Sequence, residues 1–329
     1  MDRYPAQLCC FGMKNILIVQ YSQTGQLAEV TRQFCAPLEQ AEGITVHHLT
    51  LQAAEEYPFP WPLLRFLDTF PETVHQDPPA LRPWQLPDGV EFDLVILAYQ
   101  VWFLSPSQPI TAFLQSPEAQ ALLHGKPVIT LIACRNMWLM AQEQVKALLA
   151  QAGARLLDNV ALVDEGNSLL TFITTPRWML TGNKGRADGW LPVAGLRPET
   201  ISRARRFGHA LIPALQQDLE KGAGPLLHGL QAARVDMRLI PSERIGRRSF
   251  VIWGKLLRAC GKPGTPLRRA VLLLYLVFLL SLIITVVPLS MLIRSLLRPL
   301  LKNKLQQQQA YFELPSGSGS ERLAEFDHD

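Results

Sequence analysis

The chain has 329 residues, 18% of them charged, with a net charge of +4, 25 prolines and five cysteines. That length holds one large or two modest domains, and so small a charge excludes the electrostatic footprint of a nucleic-acid binder. The cysteines (Cys9, Cys10, Cys35, Cys134 and Cys260) show neither metal-ligand spacing nor a secreted disulfide framework, which favours a reducing compartment.

Residues 1–13 hold a short apolar patch without the pattern of a signal peptide and read as an N-terminal extension. Ile16 to Val19 is an apolar, β-branched run, the pattern of a strand buried on both faces. It stops at Tyr21-Ser22-Gln23-Thr24-Gly25, and an amphipathic helix pattern runs from Gly25 to about Leu38. Such a junction makes an anion site: the helix start offers unpaired N–H groups and a partial positive charge, and Ser22 and Thr24 add hydroxyls. No Lys-Ser or Lys-Thr follows the glycine and no Gly-x-Gly-x-x-Gly run is present, so neither a nucleoside triphosphate loop nor a dinucleotide fingerprint is written here. A single phosphate fits best, and flavin mononucleotide (FMN) carries one. Ser22, Gln23, Thr24, Gly25 and Gln26 are the expected cofactor ligands at this turn.

Ile44 to Leu49 is a second strand. Tyr57-Pro-Phe-Pro-Trp-Pro62 follows; its spaced prolines forbid regular helix at its start. It is either a packed connection or, through Trp61, the wall of an apolar substrate pocket. A helical pattern then covers Leu63 to Phe70. Asp93 to Ala98 is a third buried strand, running into Tyr99-Gln-Val-Trp-Phe-Leu-Ser-Pro-Ser-Gln-Pro109. Val101, Trp102 and Phe103 thus sit beyond the carboxyl end of a central strand, where open α/β sheets bind planar ligands; the aromatic pair either stacks on a flavin or caps the core.

Pro127 to Cys134 is a fourth strand, followed by Arg135, Asn136 and Trp138 and a helix to about Gln151; Arg155 to Val163 is a fifth. Strands alternating with helices at this spacing predict a five-stranded, doubly wound parallel α/β sheet. Three loops converge on one edge, with Cys134, Arg135 and Asn136 facing the cofactor and Trp138 the substrate. Phe172 to Gly182 is an extra piece that reads as a lid or substrate wall carrying Arg177 and Trp178, with Lys184 and Arg186 in a segment expected to move. A helix from Pro198 to Lys221 closes a domain expected over 14–225.

Ala270 to Ile293 contains no charged residue and is long enough to span a hydrocarbon core as one transmembrane helix. Upstream, residues 238–269 interleave Arg and Lys with Phe250, Ile252, Trp253 and Leu256, the pattern of a basic amphipathic segment on anionic lipid. Eight basic residues between Arg244 and Arg269 face four beyond the span. That bias places the amino-terminal domain on the cytoplasmic side of the inner membrane, single-pass; a hairpin bent at Pro288 is the rival. Residues 302–329, with their Gln run and Ser-Gly repeats, read as a disordered tail.

Tyr21 to Gly25 resembles the phosphate loop of the flavodoxin-like superfamily, with Leu27 where flavodoxins often carry another Thr. Val101-Trp102-Phe103 with Pro109 resembles the aromatic loop of its NAD(P)H-dependent flavin oxidoreductases. The combination YPFPW, LAYQVWFLSPSQPITAFL, CRNMWLMAQE and FITTPRWMLTG, within residues 14–210, resembles the DarA-type family of dialkylresorcinol biosynthesis, often labelled dialkylresorcinol condensing enzymes. This resemblance implies an FMN-dependent aromatase that follows a ketosynthase of the same pathway. It would oxidise an apolar ring substrate with alkyl chains, a dialkyl cyclohexane-dione, to a dialkylresorcinol. No cysteine is paired with histidines as a condensing site requires, which favours the oxidation step, with Arg135 as the candidate for stabilising an enolate. A flavin or quinone reductase using NAD(P)H and a flavodoxin-type electron carrier are the alternatives.

Overall fold

The computed structural model describes residues 12–164, 166, 170–185 and 192–326, and the backbone alone for Phe172 and for residues 286–301. In chain order it comprises β1 (Lys14–Gln20), α1 (Gln26–Gln40), β2 (Ile44–Thr50), α2 (Leu63–Val74) and β3 (Leu94–Tyr99). A short ribbon follows, β4 (Val101–Trp102) and β5 (Ser105–Pro106), then α3 (Gln108–Gln115), α4 (Pro117–Leu123), β6 (Pro127–Cys134), α5 (Leu139–Gln151) and β7 (Arg155–Val163). The rest is helical: α6 (Thr171–Thr181), α7 (Pro198–Ser202), α8 (Arg205–Gln216), α9 (Ile240–Ala259), α10 (Pro266–Glu313) and α11 (Leu323–Phe326).

The sheet has five strands in the order β2-β1-β3-β6-β7, all parallel. With the ribbon set aside, this is the flavodoxin-like doubly wound order, whose switch point lies between β1 and β3. The apolar run of β1 explains its central place. Ile16 and Ile18 pack on one face with Phe34 of α1 and Phe207 of α8, while Leu17 and Val19 pack on the other with Phe113 and Leu148. Successive residues of a strand point to opposite faces, so only an unbroken apolar run serves both layers. Gly208 sets the approach of α8 to α1: a Cβ there would lie 2.2 Å from the Phe34 carbonyl oxygen. The helix expected over Pro198–Lys221 is instead broken into α7, α8 and a final 3-10 turn at Leu219–Lys221, entered through Asp218 in the left-handed region (φ 58°).

The packed core continues past residue 225, with Leu226, Leu227 and Leu230 buried in it. Asp158 of β7 fastens this stretch. Its carboxylate accepts the amides of Leu226 at 2.7 Å and Leu227 at 3.1 Å, and the Ser316 hydroxyl at 2.7 Å. The carboxyl-terminal tail is therefore structured, correcting the disorder expected from its composition. Ser316 is fully buried, and Gln231 and Ala233 donate to Gly319 at 2.7 Å and Gly317 at 3.1 Å. Its Ser-Gly repeat permits close backbone approach, and the left-handed turn at Gly317 (φ 80°) needs no Cβ. The tail after α10 is thus packed against the same domain from which α10 departs.

Residues 240–259, expected on lipid, form α9, and its inner side belongs to the protein. Arg247 donates to the Val74 carbonyl at 2.7 Å, and Phe250 and Leu257 pack with Phe70 and Tyr275. At the start of α10, Arg268 is buried between Asp68 and Glu72, both at 2.6 Å. Among the described residues, Pro266–Thr285 is the one helix long and apolar enough to cross a membrane, with a mean hydropathy of 2.3 and 17% of it buried. The extension at residues 1–11 and Arg186 lie outside the described residues.

Glu243 of α9 is fully buried and caps α5, accepting the Met140 amide at 2.7 Å. Burial pushes its carboxyl up to about 7, against the pull of that amide, and pushes Asp158 up to about 6. Both values lie above those of the unfolded chain, so the folded protein holds the extra protons. The stabilisation is complete below about pH 4 and is lost as pH rises through 6 to 7. Thermal unfolding of the full chain in detergent should show stability falling from pH 5 to pH 8. Glu243→Gln should flatten that slope and add about 1–3 kcal/mol at pH 8; an unchanged slope with lower stability would contradict it.

Candidate functional site

The carboxyl ends of β1, β3 and β6 bring the expected loops together at the switch point. After β1 the chain turns through Ser22–Gly25, and Gly25 enters α1 in the left-handed region (φ 80°) with no side-chain cap. A Cβ at Gly25 would meet nothing within 4 Å, so the turn opens outward. The Ser22 hydroxyl oxygen accepts the Ala28 amide at 3.2 Å, which leaves its proton for an anion seated on the first turn. The opening amides of α1, at Gln26 and Leu27, are the orphan donors that every helix start exposes, and Thr24 stands half-buried beside them. Backbone N–H groups and hydroxyls are thus the groups this turn offers an anion.

Gln23 does different work. Its amide donates to Gln100 Oε1 at 3.0 Å, its Nε2 donates to the carbonyls of Tyr57 (3.1 Å) and Pro58 (2.8 Å), and Tyr21 donates its hydroxyl to Gln23 Oε1. The side chain expected on the phosphate instead staples the proline-rich insertion to the turn. Gln26 lies under the segment before α7, its Nε2 within 3.5 Å of the Leu196 carbonyl, and Gly195 has room there only because it lacks a Cβ.

Trp102 is buried in an aromatic cluster. Its ring lies 5.9 Å from Tyr21, 5.0 Å from Tyr57 and 5.8 Å from Trp61, all edge to face. Phe103 goes elsewhere, packing on Phe66, Phe70 and Phe250 at 5.0, 5.6 and 6.1 Å. The pair expected on one ring is split. Phe103 (φ 51°) and Leu104 (φ 58°) both take left-handed backbone conformations, which reverse the chain between β4 and β5 and send neighbouring side chains to opposite sides. Val101, half-buried, pairs with Pro106 across that ribbon.

Past β6, burial pushes the Cys134 thiol upward, which makes it an inert neighbour rather than a nucleophile. Arg135 Nε donates to Thr171 of α6 at 2.7 Å. Burial lowers its guanidinium to about 10, with Asp164 pulling the other way, so it remains a cation at neutral pH. Asn136 and Trp138 line a separate cavity of about 220 Å³ with Asp164 and Arg234. Asp164 accepts the amides of Gly166 at 2.8 Å and Gly195 at 3.1 Å, drawing the segment before α7 over the sheet edge.

α6 covers the site from above. Trp61 donates its amide to the Met179 carbonyl at 2.8 Å, Trp178 is buried against Phe59 at 6.3 Å, and Lys184 sits 5.1 Å over the Trp178 ring. Arg177 lies at the outer side, its guanidinium 3.4 Å from the Gly185 carbonyl. Gln100, Asp164 and Gly195 line the same edge and escape sequence reasoning; a polar Gln directly after an apolar strand is the available signal for Gln100. Trp61 Nε1 is buried with no acceptor among the described residues. Such an orphan donor is costly unless a ligand acceptor meets it. With the open turn at Gly25 it fits a group that has a phosphate at one end and a planar ring with carbonyl oxygens at the other.

Strand order and direction define a flavodoxin-like α/β sheet with an open helix start at its switch point. No family model and no curated protein matches the sequence. Similar solved structures include a flavoprotein in complex with FMN from Lactobacillus acidophilus NCFM, 12% identical over 45% of this chain and 92% of that one, with a TM-score of 0.36. A flavodoxin from the domain Archaea is 9% identical over 62% and 99%, with a TM-score of 0.34. The Trp repressor binding protein of Bacillus subtilis is 14% identical over 51% and 98%, with a TM-score of 0.28. The fold assignment rests on strand order and direction.

Thr24→Glu places a carboxylate against the anion seat, and calorimetry of the full chain should then show FMN, the ligand expected at this turn, weakened about 100-fold or more. Thr24→Ala, which removes one hydroxyl, should cost about tenfold. Equal affinity of Thr24→Glu and the unsubstituted chain would remove the phosphate from this turn.

Proposed function

We propose that the protein is a membrane-associated FMN-dependent oxidoreductase, and that it acts as an aromatase on a dialkyl cyclohexane-dione. The observation that carries this reading is the convergence of the uncapped α1 turn, the Trp102–Tyr57–Trp61 cluster and Arg135 beneath α6 at one sheet edge. The turn would hold the phosphate, and Trp61 Nε1 with Trp102 would receive the ring. Bound there, FMN supplies a two-electron acceptor.

The chain's own residues then have three tasks. The apolar roof of Trp61, Trp178 and Phe59 excludes water and accepts alkyl chains. Arg135, held by Thr171 and still charged in a partly desolvated position, stabilises the negative charge that the acidic dione, having given its proton to bulk solvent before it binds, carries on its oxygens. Asp164 holds the segment over Gln26 closed. A ketosynthase acting earlier would supply the dione, in keeping with the resemblance of the sequence motifs.

The main competing reading is an electron carrier, which needs an exposed flavin edge for its partner. Trp61 at 2% and Trp102 at 8% exposure, under α6, favour an enclosed small substrate instead. Anaerobic single-turnover spectra of the FMN-loaded full chain separate the possibilities. Flavin should bleach on adding the dione with no NAD(P)H, and Arg135→Gln should slow this about 100-fold, with partial recovery in Arg135→Lys. Bleaching by NAD(P)H and not by the dione would make the protein a reductase and overturn this reading.

A further inference from the structure

The two ends of α10 are anchored close together. Near its start Tyr275 lies against Phe250 of α9, ring centres 6.5 Å apart. Near its end the Phe312 ring lies 5.5 Å from the Arg244 guanidinium, also of α9. On a straight helix residues 275 and 312 would be about 56 Å apart at 1.5 Å per residue, whereas positions 244 and 250 of α9 are only about 9 Å apart. Side chains a few ångströms long cannot supply the difference. The chain must turn back between them, and the stretch contains Pro288 and Pro299, the residue type at which helices bend sharply.

We propose that residues 266 to about 306 form a helical hairpin. It enters an anionic lipid bilayer from the side of the flavodoxin-like domain and returns to that side without crossing. The outgoing arm exposes Leu273, Leu274, Val277, Leu280 and Ile284, and only 17% of its apolar window is buried in the protein. No second apolar element of the chain covers it among the described residues; a bilayer does. The return arm carries Arg294 and Arg298, each of which costs about 2.5–3.5 kcal/mol at the centre of a bilayer. It therefore lies along the headgroups, and the hairpin dips rather than spans. Exposed Arg248, Lys255, Lys262, Arg269, Lys302 and Lys304 surround its base, where anionic headgroups match them. The exposed stripe of α9, Ile245, Ile252 and Leu256, continues the same greasy surface. On the far side of the base, Ser316 is buried on Asp158 and Phe312 in the core, which no membrane-crossing tail allows. The inference is independent of the chemistry at the switch point.

Cysteine reporters decide it in the full chain with Cys9, Cys10, Cys134 and Cys260 replaced by serine, Cys35 being fully buried. Glu118→Cys marks the domain and Ser320→Cys the tail, both exposed. In sealed phosphatidylglycerol-containing vesicles a membrane-impermeant maleimide should label the two equally, and detergent should raise both by the same factor. Protection of Ser320→Cys wherever Glu118→Cys is labelled would establish a crossing and overturn the hairpin. Flotation of the unsubstituted chain provides the second arm. The chain should rise with these vesicles and withstand a carbonate wash, and Leu274→Asp with Val277→Asp, at exposed positions, should abolish this. An unsubstituted chain that stays at the bottom of the gradient would remove the bilayer as occupant.

Discussion

The structure depends on the uncapped start of α1. A parallel sheet buried on both faces delivers all its strand ends to one edge, and β1, an interior strand between β2 and β3, ends there against an open helix. Gly25 enters α1 in the left-handed region with nothing in front of it. Orphan amides and the partial charge of a fifteen-residue helix then point outward. Everything above this point is arranged around that electropositive opening. Ser22 gives its lone pair to Ala28 and keeps its proton, Gln100 holds the turn through Gln23, and Gln23 in turn holds the insertion that brings Tyr57 and Trp61 over Trp102. Loosening Gln23 would disturb the open helix start and the aromatic wall together.

The enclosing pieces are held by polar bonds at their margins and by rings at their centre. Trp61 is tied to α6 through the Met179 carbonyl, and Asp164 draws Gly195 down over Gln26. These are few bonds for so large a cover, which suits the roof of the proposed site, where a substrate with apolar chains would have to enter. The Arg135–Thr171 bond joins the cation proposed to act on substrate to the same roof, so closure and charge placement are coupled mechanically.

The sheet and the open turn between β1 and α1 were legible because they follow from local periodicity: unbroken apolar runs, hydroxyl-rich turns and amphipathic helices report themselves within a few residues. The split of Trp102 from Phe103 was not, because it depends on two successive non-glycine residues in left-handed conformations, which composition does not announce. Gln23 was misjudged because its role is set by carbonyls 34 and 35 residues away. The tail was misread for a related reason. Ser and Gly signal disorder on average, yet Ser316 fits a buried carboxylate and the glycines allow backbone pairing with residues 231–233. Hydropathy found the apolar helix and measures only the length of the greasy run, so it said nothing of where the two ends are tied.

The central claim is that a phosphate seated on the α1 N-terminus holds a flavin whose ring meets Trp61 and Trp102. Riboflavin shares the ring of FMN and lacks the phosphate, so the ratio of their affinities isolates the seat. Titrating each against the full chain by quenching of flavin fluorescence should show FMN bound about 100-fold or more tightly than riboflavin, the effect of two charge-assisted hydrogen bonds of about 1.5 kcal/mol each. Equal affinities, or no binding of either, would contradict the account.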